Sequence, residues 1–282
     1  MRYIRLVLPC VGIILFTYLL CNLSWQKVWI SVTELKWWQL LLPAVCAALG
    51  IFVKAIRWSL LLNCDLDQKK QARDIFLASI FYGMVTPGRV GEFVKVEYLK
   101  DLGFKYKTGL FYTVYDRFFD VMILLVFSAL ACYVFGIYSV WLLVWILCIL
   151  VLGAILHRRI AAIYLGNDIS WIKYFQLSLL TLLGYLIYAT GLPLILGVYN
   201  LAEFLKTILA VLAGNLVSLI PLSIHGLGTR ESVFFLFLDW FPSEVLMVAS
   251  ITHFFTTFFG TAIFCSLYLG VGLAPKSMRK IS

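Results

Sequence analysis

The sequence predicts an all-α polytopic integral membrane protein with about six transmembrane helices and two re-entrant broken-helix hairpins in an inverted-repeat arrangement. Three observations carry this. First, 63% of the 282 residues are hydrophobic and 13% are charged, where soluble domains run at about 45–50% and about 25%. The mean hydropathy is +0.97. Second, the chain holds a series of apolar runs of about 20 residues, the length that crosses about 30 Å of hydrocarbon. Third, two further apolar regions, 74–101 and 203–240, are each interrupted by a proline, paired glycines, an arginine and a glutamate. No stretch is polar enough for a soluble domain, so residues 1–282 read as a single membrane domain.

In chain order, the first run is 3–23. It stands where a signal peptide would, but it exceeds the roughly 7–15 residues of such a segment and no A-x-A site follows. It is expected to be a retained first transmembrane helix. The second span is expected at 37–62, followed by the region 74–101, split at Pro87-Gly88. Spans three to five are expected at 110–136, 138–156 and 174–198. The region 203–240 splits around Pro221 to Gly228, and the last span is expected at 244–271.

Lysine and arginine collect on the cytoplasmic side of membrane proteins. Arg2 and Arg5, then Lys69, Lys70 and Arg73, then Lys100, Lys105 and Lys107, then Arg158, Arg159 and Lys173, and finally Lys276, Arg279 and Lys280 fall on one side of this arrangement. The other side holds little more than Lys27, Lys36 and Lys206. Both termini are therefore expected in the cytoplasm, and each split region must leave by the face it entered. The first would dip in from the cytoplasm and the second from the opposite face. The limb 203–220 is the longer one, long enough to span by itself. The net charge of +9 follows from this bias and from contact with anionic lipid, and implies no nucleic-acid partner.

The two breaks resemble each other. One reads MVTPGRVGEFVKVEYL, residues 84–99, and the other SLIPLSIHGLGTRESVFFLFL, residues 218–238. In both, an apolar helix is expected to end near a proline, turn through glycine, and restart with Arg and Glu in the first turns. Pro87, Gly88 and Gly91, and Pro221, Gly226 and Gly228, are the expected turn residues. Irregular backbone at membrane depth survives only where it is buried in protein or lines a wet cavity. Discontinuous helices at matching places in two halves point to a transporter's binding site. Arg89, Glu92, Arg230 and Glu231 are the main candidates for binding. A third cluster, YDRFFD, places Asp116 and Asp120 on one helix face and Arg117 within reach of Asp120. Structural readings stand beside these. Arg89 and Glu92 are open to reading as an ion pair that holds a turn. The YDRFFD charges are open to reading as interfacial. Lys54 and Arg57 read as interfacial, Lys95, Glu97, Lys100 and Asp101 as a solvated helix end, and His225 as a satisfied polar residue ahead of a proton relay.

Cys10, Cys21, Cys46, Cys64, Cys132, Cys148 and Cys265 form no CxxC pair, and His157, His225 and His253 are far apart. No metal site and no cofactor are expected. Neither a G-x-x-x-x-G-K-[ST] loop nor a G-x-S-x-G or H-E-x-x-H motif occurs. The chain therefore reads as a transporter and not as an enzyme.

TPGRVGEFVKVEYL, VYDRFFDVMILL and GLGTRESVFFLF together resemble three signature regions of the flippase-like family, the transmembrane region of lysylphosphatidylglycerol synthases. The family pattern falls on Pro87, Gly88, Arg89, Gly91 and Glu92, then on Arg117 and Asp120, then on Gly226, Gly228, Arg230 and Glu231. The third site departs from the frequent Pro-Gly-Gly, reading PLSIHGLG. The resemblance implies inverted re-entrant hairpins and movement of lipids between leaflets in a bacterial cytoplasmic (inner) membrane. The chain resembles a stand-alone member without the soluble synthase domain, so aminoacyl transfer is not expected. The expected function is a translocase for an anionic phospholipid or a polyprenyl-phosphate-type lipid. Arg89 and Arg230 would bind phosphate, with Glu92 and Glu231 as their counter-charges. Arg117 and Asp120 would line the path, and His225 would sit beside the second turn. Membrane lipids are the expected substrate. A homo-oligomer and a lipid-modifying enzyme partner stay open. So do two other readings: an ion- or proton-coupled transporter of a small anion, and an accessory subunit of a lipid-modifying or glycosyltransferase system.

Overall fold

A computed structural model describes residues 2–137, 170–219 and 226–272, together with residues 141, 144, 146, 148, 151, 153, 155 and 159. All regular structure among the described residues is helical. Helix α1 (Arg2–Cys21) is followed by α2 (Trp25–Thr33), and the two meet at 94°. The sequence reading had no element between the first two spans. Helix α2 buries none of its residues, and Trp25 and Trp29 are 64% and 70% exposed.

Helix α3 (Trp37–Leu61) carries Pro43 in its interior. Helix α4 (Leu66–Val85) begins after Asp65, well before the expected 74. It ends at Thr86, which is extended, because the residue before a proline is held out of the α region. The chain then runs as a 3-10 segment, Pro87–Phe93, into α5 (Val94–Tyr98) and a second 3-10 turn, Leu99–Leu102. The expected regular second limb is thus a chain of short helical pieces. Gly88 and Gly91 lower helix propensity over this stretch.

Helix α6 (Tyr106–Val134) is the third span. Of the span expected at 138–156, only scattered residues are described, and those are helical. Helices α7 (Trp171–Ala189) and α8 (Gly191–Leu196) together form the span expected at 174–198. The break falls where Pro193 has no N–H for the carbonyl of Ala189. Helix α9 (Leu201–Ser218) starts at Asn200, whose side chain accepts from the N–H of Ala202. Helices α10 (Thr229–Phe237) and α11 (Ser243–Gly272) are the last among the described residues.

Five stretches are long and apolar enough to cross a membrane: Trp37–Leu61, Tyr106–Val134, Trp171–Leu196, Leu201–Ser218 and Ser243–Gly270; the bent pair α1–α2 makes a sixth if it counts as one span. Leu201–Ser218, expected as a hairpin limb, is itself of spanning length.

The chain divides into two compact units. One comprises Met1–Ala47, Phe127–Leu143 and Leu186–Gly260, and the other Ala48–Val126, Val144–Tyr185 and Thr261–Ser282. Each contains one of the helical hairpins read from the sequence. In the second unit, α4 folds against the Pro87–Phe93 segment and α5. In the first, α9 folds against α10.

Candidate functional site

In the unit of Ala48–Val126, a network of buried charge joins α3, α5, α6, α7 and the 3-10 segment. Its centre is Arg57, fully buried. One nitrogen, Nη2, donates to Asp116 Oδ1 at 2.5 Å. The other, Nη1, donates to Asp120 Oδ1 and to Thr181 Oγ1, each at 2.8 Å. Thr181 Oγ1 donates its own hydrogen bond to the Leu177 carbonyl one turn back, which leaves its oxygen free to accept from Arg57. Asp116 and Asp120 are one helical turn apart on α6, which is why a single guanidinium fork spans both. This places a residue expected at the interface in the middle of the interior. Arg57 and Lys54 are the only charges in α3, and nothing in their spacing separates an interfacial end from a buried one.

Lys95 is the second correction. It is fully buried, where a solvated helix end was expected. Its ammonium donates to Asp116 Oδ2 at 3.0 Å and lies 4.5 Å from the Trp58 ring and 5.3 Å from the Phe76 ring. The neighbouring Lys100–Glu97 pair behaves as expected, at 2.7 Å with both side chains about half exposed or more. Lys54 lies 3.4 Å from Asp120 Oδ1 and 3.3 Å from the Tyr185 ring centroid. Arg117 pairs with Glu92, and reaches Asp120 Oδ2 at 3.5 Å as its spacing predicted.

The network thus joins Lys54, Arg57, Lys95 and Arg117 with Glu92, Asp116 and Asp120. Among the described side chains, four positive charges meet three negative ones. Each charge in a membrane interior costs about 2.5–3.5 kcal/mol on insertion scales, so the group persists by mutual pairing. Deep members are buried, while Arg117 keeps 27% of its side chain exposed and Lys54 13%.

The 3-10 segment that brings Glu92 to this network is built by close approach. Thr86 Oγ1 donates to the Tyr82 carbonyl at 3.0 Å and accepts from the N–H of Gly91 at 2.7 Å. A Cβ on Gly91 would overlap that same carbonyl and hydroxyl. The backbone of Pro87, Gly88 and Arg89 follows this path, while their side chains lie outside what is described.

The unit of Leu186–Gly260 holds a smaller cluster. Gly226 and Gly228 have φ of +83° and +84°. A side chain on Gly228 would also run into the carbonyl of Gly12 on α1. Gly228 caps α10 without a side chain, and Glu231 answers from the third helical position. Its Oε2 accepts the N–H of Gly228 at 2.6 Å. Its Oε1 accepts from Arg230 Nη2 and from Ser250 Oγ, each at 2.8 Å. Arg230 Nη2 also donates to the Ser250 carbonyl at 3.3 Å, and its guanidinium carbon lies 5.3 Å from the Phe254 ring and 5.7 Å from Phe234. Arg230 and Glu231 are thereby paired and buried as their placement suggested. Pro221 and His225 lie outside the described residues. Among the described residues, no group of His, Cys, Asp and Glu is arranged to hold a metal ion.

Sequence reading found Glu92, Arg117, Asp120, Arg230 and Glu231 and missed Lys54, Arg57, Lys95, Thr86, Thr181 and Ser250 as parts of the same constructions. The available signal was Lys54 and Arg57, one turn apart in an otherwise uncharged helix, which match the turn spacing of Asp116 and Asp120.

Apolar helices of spanning length, with ionised side chains paired in the protein interior, define an integral membrane protein. The model of the lysylphosphatidylglycerol synthase transmembrane region matches residues 4–264, and the chain belongs to that family, as its three motifs implied. No curated protein matches it.

Proposed function

We propose that this protein is a lipid translocase that moves an anionic phospholipid or polyprenyl-phosphate-type lipid between leaflets. The observation that carries the reading is the buried charge network around Arg57, with a partly exposed cationic edge at Arg117 and Lys54. Ions buried in this way are costly to assemble, and an anionic headgroup reaching the exposed edge gains charge-assisted contacts with cations already fixed in place. Arginine suits this task, since its fork of donors stays charged and matches phosphate oxygens. Membership of a lipid-related family supports the same reading. In the unit of Ala48–Val126, Arg117 binds headgroup phosphate, Glu92 holds it when that site is unloaded, and Arg57, Lys95, Asp116 and Asp120 set the field; in the unit of Leu186–Gly260, Arg230 is by itself a second phosphate-binding candidate with Glu231 as its counter-charge. We place both termini in the cytoplasm and the hairpins as re-entrant from opposite faces, in keeping with the distribution of Lys and Arg.

The test is translocation by the purified protein in liposomes, with fluorescent lipids of different headgroup. Arg117→Gln is the preferred variant, because its side chain is the least buried of the four cations and folding is least at risk. Loss of one charge-assisted contact, about 1.5–3 kcal/mol, predicts a slowing of roughly ten- to a hundredfold for anionic lipids. Zwitterionic lipids should be affected less. Equal rates in the native and variant proteins for every lipid would refute the headgroup site.

A further inference from the structure

Helix α2 leaves α1 at 94°, and three residues make the corner. Asn22 closes α1, its side-chain nitrogen donating to the Tyr18 carbonyl at 2.8 Å. Leu23 is buried, and Ser24 is extended ahead of the first turn of α2. Helix α1 has 20 residues, about 30 Å of helix, which matches the hydrocarbon core by itself. A helix that departs from the end of such a span near a right angle runs along the membrane surface. The usual tilt of a span, about 20°, does not alter that. The side chains of α2 are sorted to fit. Trp25, Val28, Trp29 and Val32 recur at i, i+3, i+4 and i+7, one stripe of the helix. Both indoles on it are well exposed, and no residue of α2 is buried. Lys27 and Ser31 lie on the opposite side. Lys27 Nζ is 3.9 Å from Glu244 Oε1 at the start of α11, so the tether to the protein is on the polar side and the tryptophan stripe is turned away. Ser31 and Thr33 donate to the carbonyls of Lys27 and Ile30, at 2.9 and 2.8 Å, which satisfies both hydroxyls within the helix. Ile30 is the one apolar side chain outside the stripe.

We propose that α2 is an interfacial helix, seated in the lipid leaflet at the C-terminal end of α1, with Trp25, Val28, Trp29 and Val32 in the boundary between headgroups and acyl chains. Three observations make lipid the occupant. The stripe continues the exposed apolar surface of α1, where Ile14 and Tyr18 are 66% and 67% exposed, and α1 itself stands in the membrane. Tryptophan favours this depth, because its ring is apolar and its N–H finds acceptors among headgroups. The corner at Asn22–Ser24 sets the angle that an in-plane helix needs, and such helices sink about 5–10 Å into the boundary. Burying the stripe in lipid removes its apolar area from water, a gain that no described part of the protein supplies. The seat bears on the second hairpin. Helix α1 also carries Gly12, whose carbonyl Gly228 approaches at the hairpin turn. The leaflet that holds α2 thereby sets the depth of the helix on which that turn packs. The orientation proposed above makes this the non-cytoplasmic leaflet. The seating in lipid depends neither on that orientation nor on the translocase reading.

The test is electron paramagnetic resonance of the full chain in vesicles of phosphatidylcholine and phosphatidylglycerol. Nitroxides are attached one at a time, in a cysteine-free background, through Trp25→Cys, Gln26→Cys, Val28→Cys, Trp29→Cys, Ser31→Cys and Val32→Cys. Lys27 is left in place, so the tether to Glu244 is kept. Relaxation by oxygen reports lipid, and relaxation by a polar nickel chelate reports water. The ratio of oxygen to nickel access should oscillate with a period of about 3.6 residues. It should be highest at positions 25, 28, 29 and 32 and lowest at 26 and 31. Nickel access all round would place α2 in water and overturn the inference. So would protection of the stripe from both reagents, which means protein covers it, a second copy included. Oxygen access all round would make α2 a continuation of the span and overturn it equally. A second measurement keeps the native stripe. Brominated phosphatidylcholine should quench the fluorescence of the unlabelled protein, and the quenchable intensity should fall in the variant carrying Trp25→Phe and Trp29→Phe. An unchanged quenchable intensity means that neither indole meets lipid, and the inference is lost.

Discussion

At the scale of single residues, Lys95 and Lys100 make the sharpest contrast. Both follow the same break, five positions apart, with a carboxylate nearby in sequence. Yet Lys95 is fully buried between Asp116, Trp58 and Phe76, and Lys100 sits in an exposed pair. Removing one partner of a buried ion pair costs about 3–5 kcal/mol, while an exposed pair contributes about 0–1 kcal/mol. Lys95→Met should therefore lower the thermal midpoint of the purified protein by many degrees, and Lys100→Met should barely move it. Similar losses in the two variants would mean the burial assigned to Lys95 is wrong. The motif charges Glu92, Arg230 and Glu231 were legible because they interrupt apolar runs beside glycine and proline, and Arg117 and Asp120 because they interrupt an apolar run at helical spacing. Arg57 and Lys95 were not, because their partners lie across the fold: Asp120 is 63 positions from Arg57, and Asp116 is 21 from Lys95. No local spacing encodes such a pairing.

At the scale of elements, the two hairpins use glycine in the same way, to let one limb touch the backbone of its neighbour. Gly91 approaches the Tyr82 carbonyl on α4, and Gly228 approaches the Gly12 carbonyl on α1. Alanine at either position displaces backbone and not merely a side-chain tip. Gly228→Ala adds the strain of a left-handed φ. Both variants should be clearly less stable, by about 1–3 kcal/mol or more. Gly270, which has open space around it, should accept alanine within about 1 kcal/mol. Unfolding curves in mild detergent decide the matter, and a neutral Gly91→Ala would contradict the packing of the 3-10 segment on α4. The positions of the breaks were legible from Pro87 and the Gly226–Gly228 turn. The 3-10 path after Pro87 was not, since Pro-Gly-Arg-x-Gly is compatible with either a turn or a helix start. Helix α2 was invisible because Trp25, Trp29 and their neighbours form a run too short for a span and too apolar for a loop.

At the scale of the whole molecule, the apolar composition dictated an integral membrane protein, and the family match agrees. Orientation is the remaining large-scale claim, and it rests on the distribution of Lys and Arg. In a cysteine-free background, single cysteines at Gln26 and Asp101, both exposed, should react with an impermeant reagent from opposite faces of sealed vesicles. The first should label from outside and the second only after the cytoplasmic face is opened. Labelling of both from one face would reverse or dismantle the assigned topology.

The ammonium of Lys95 above the Trp58 indole, at 4.5 Å, has an optical consequence. A point charge that close sets the electric field on the chromophore, and the energy of its excited state follows that field. Any step that draws Lys95 away from Asp116 must therefore also recolour Trp58. The protein carries a native spectroscopic gauge at the heart of its charge network, readable without a label wherever the other indoles can be silenced.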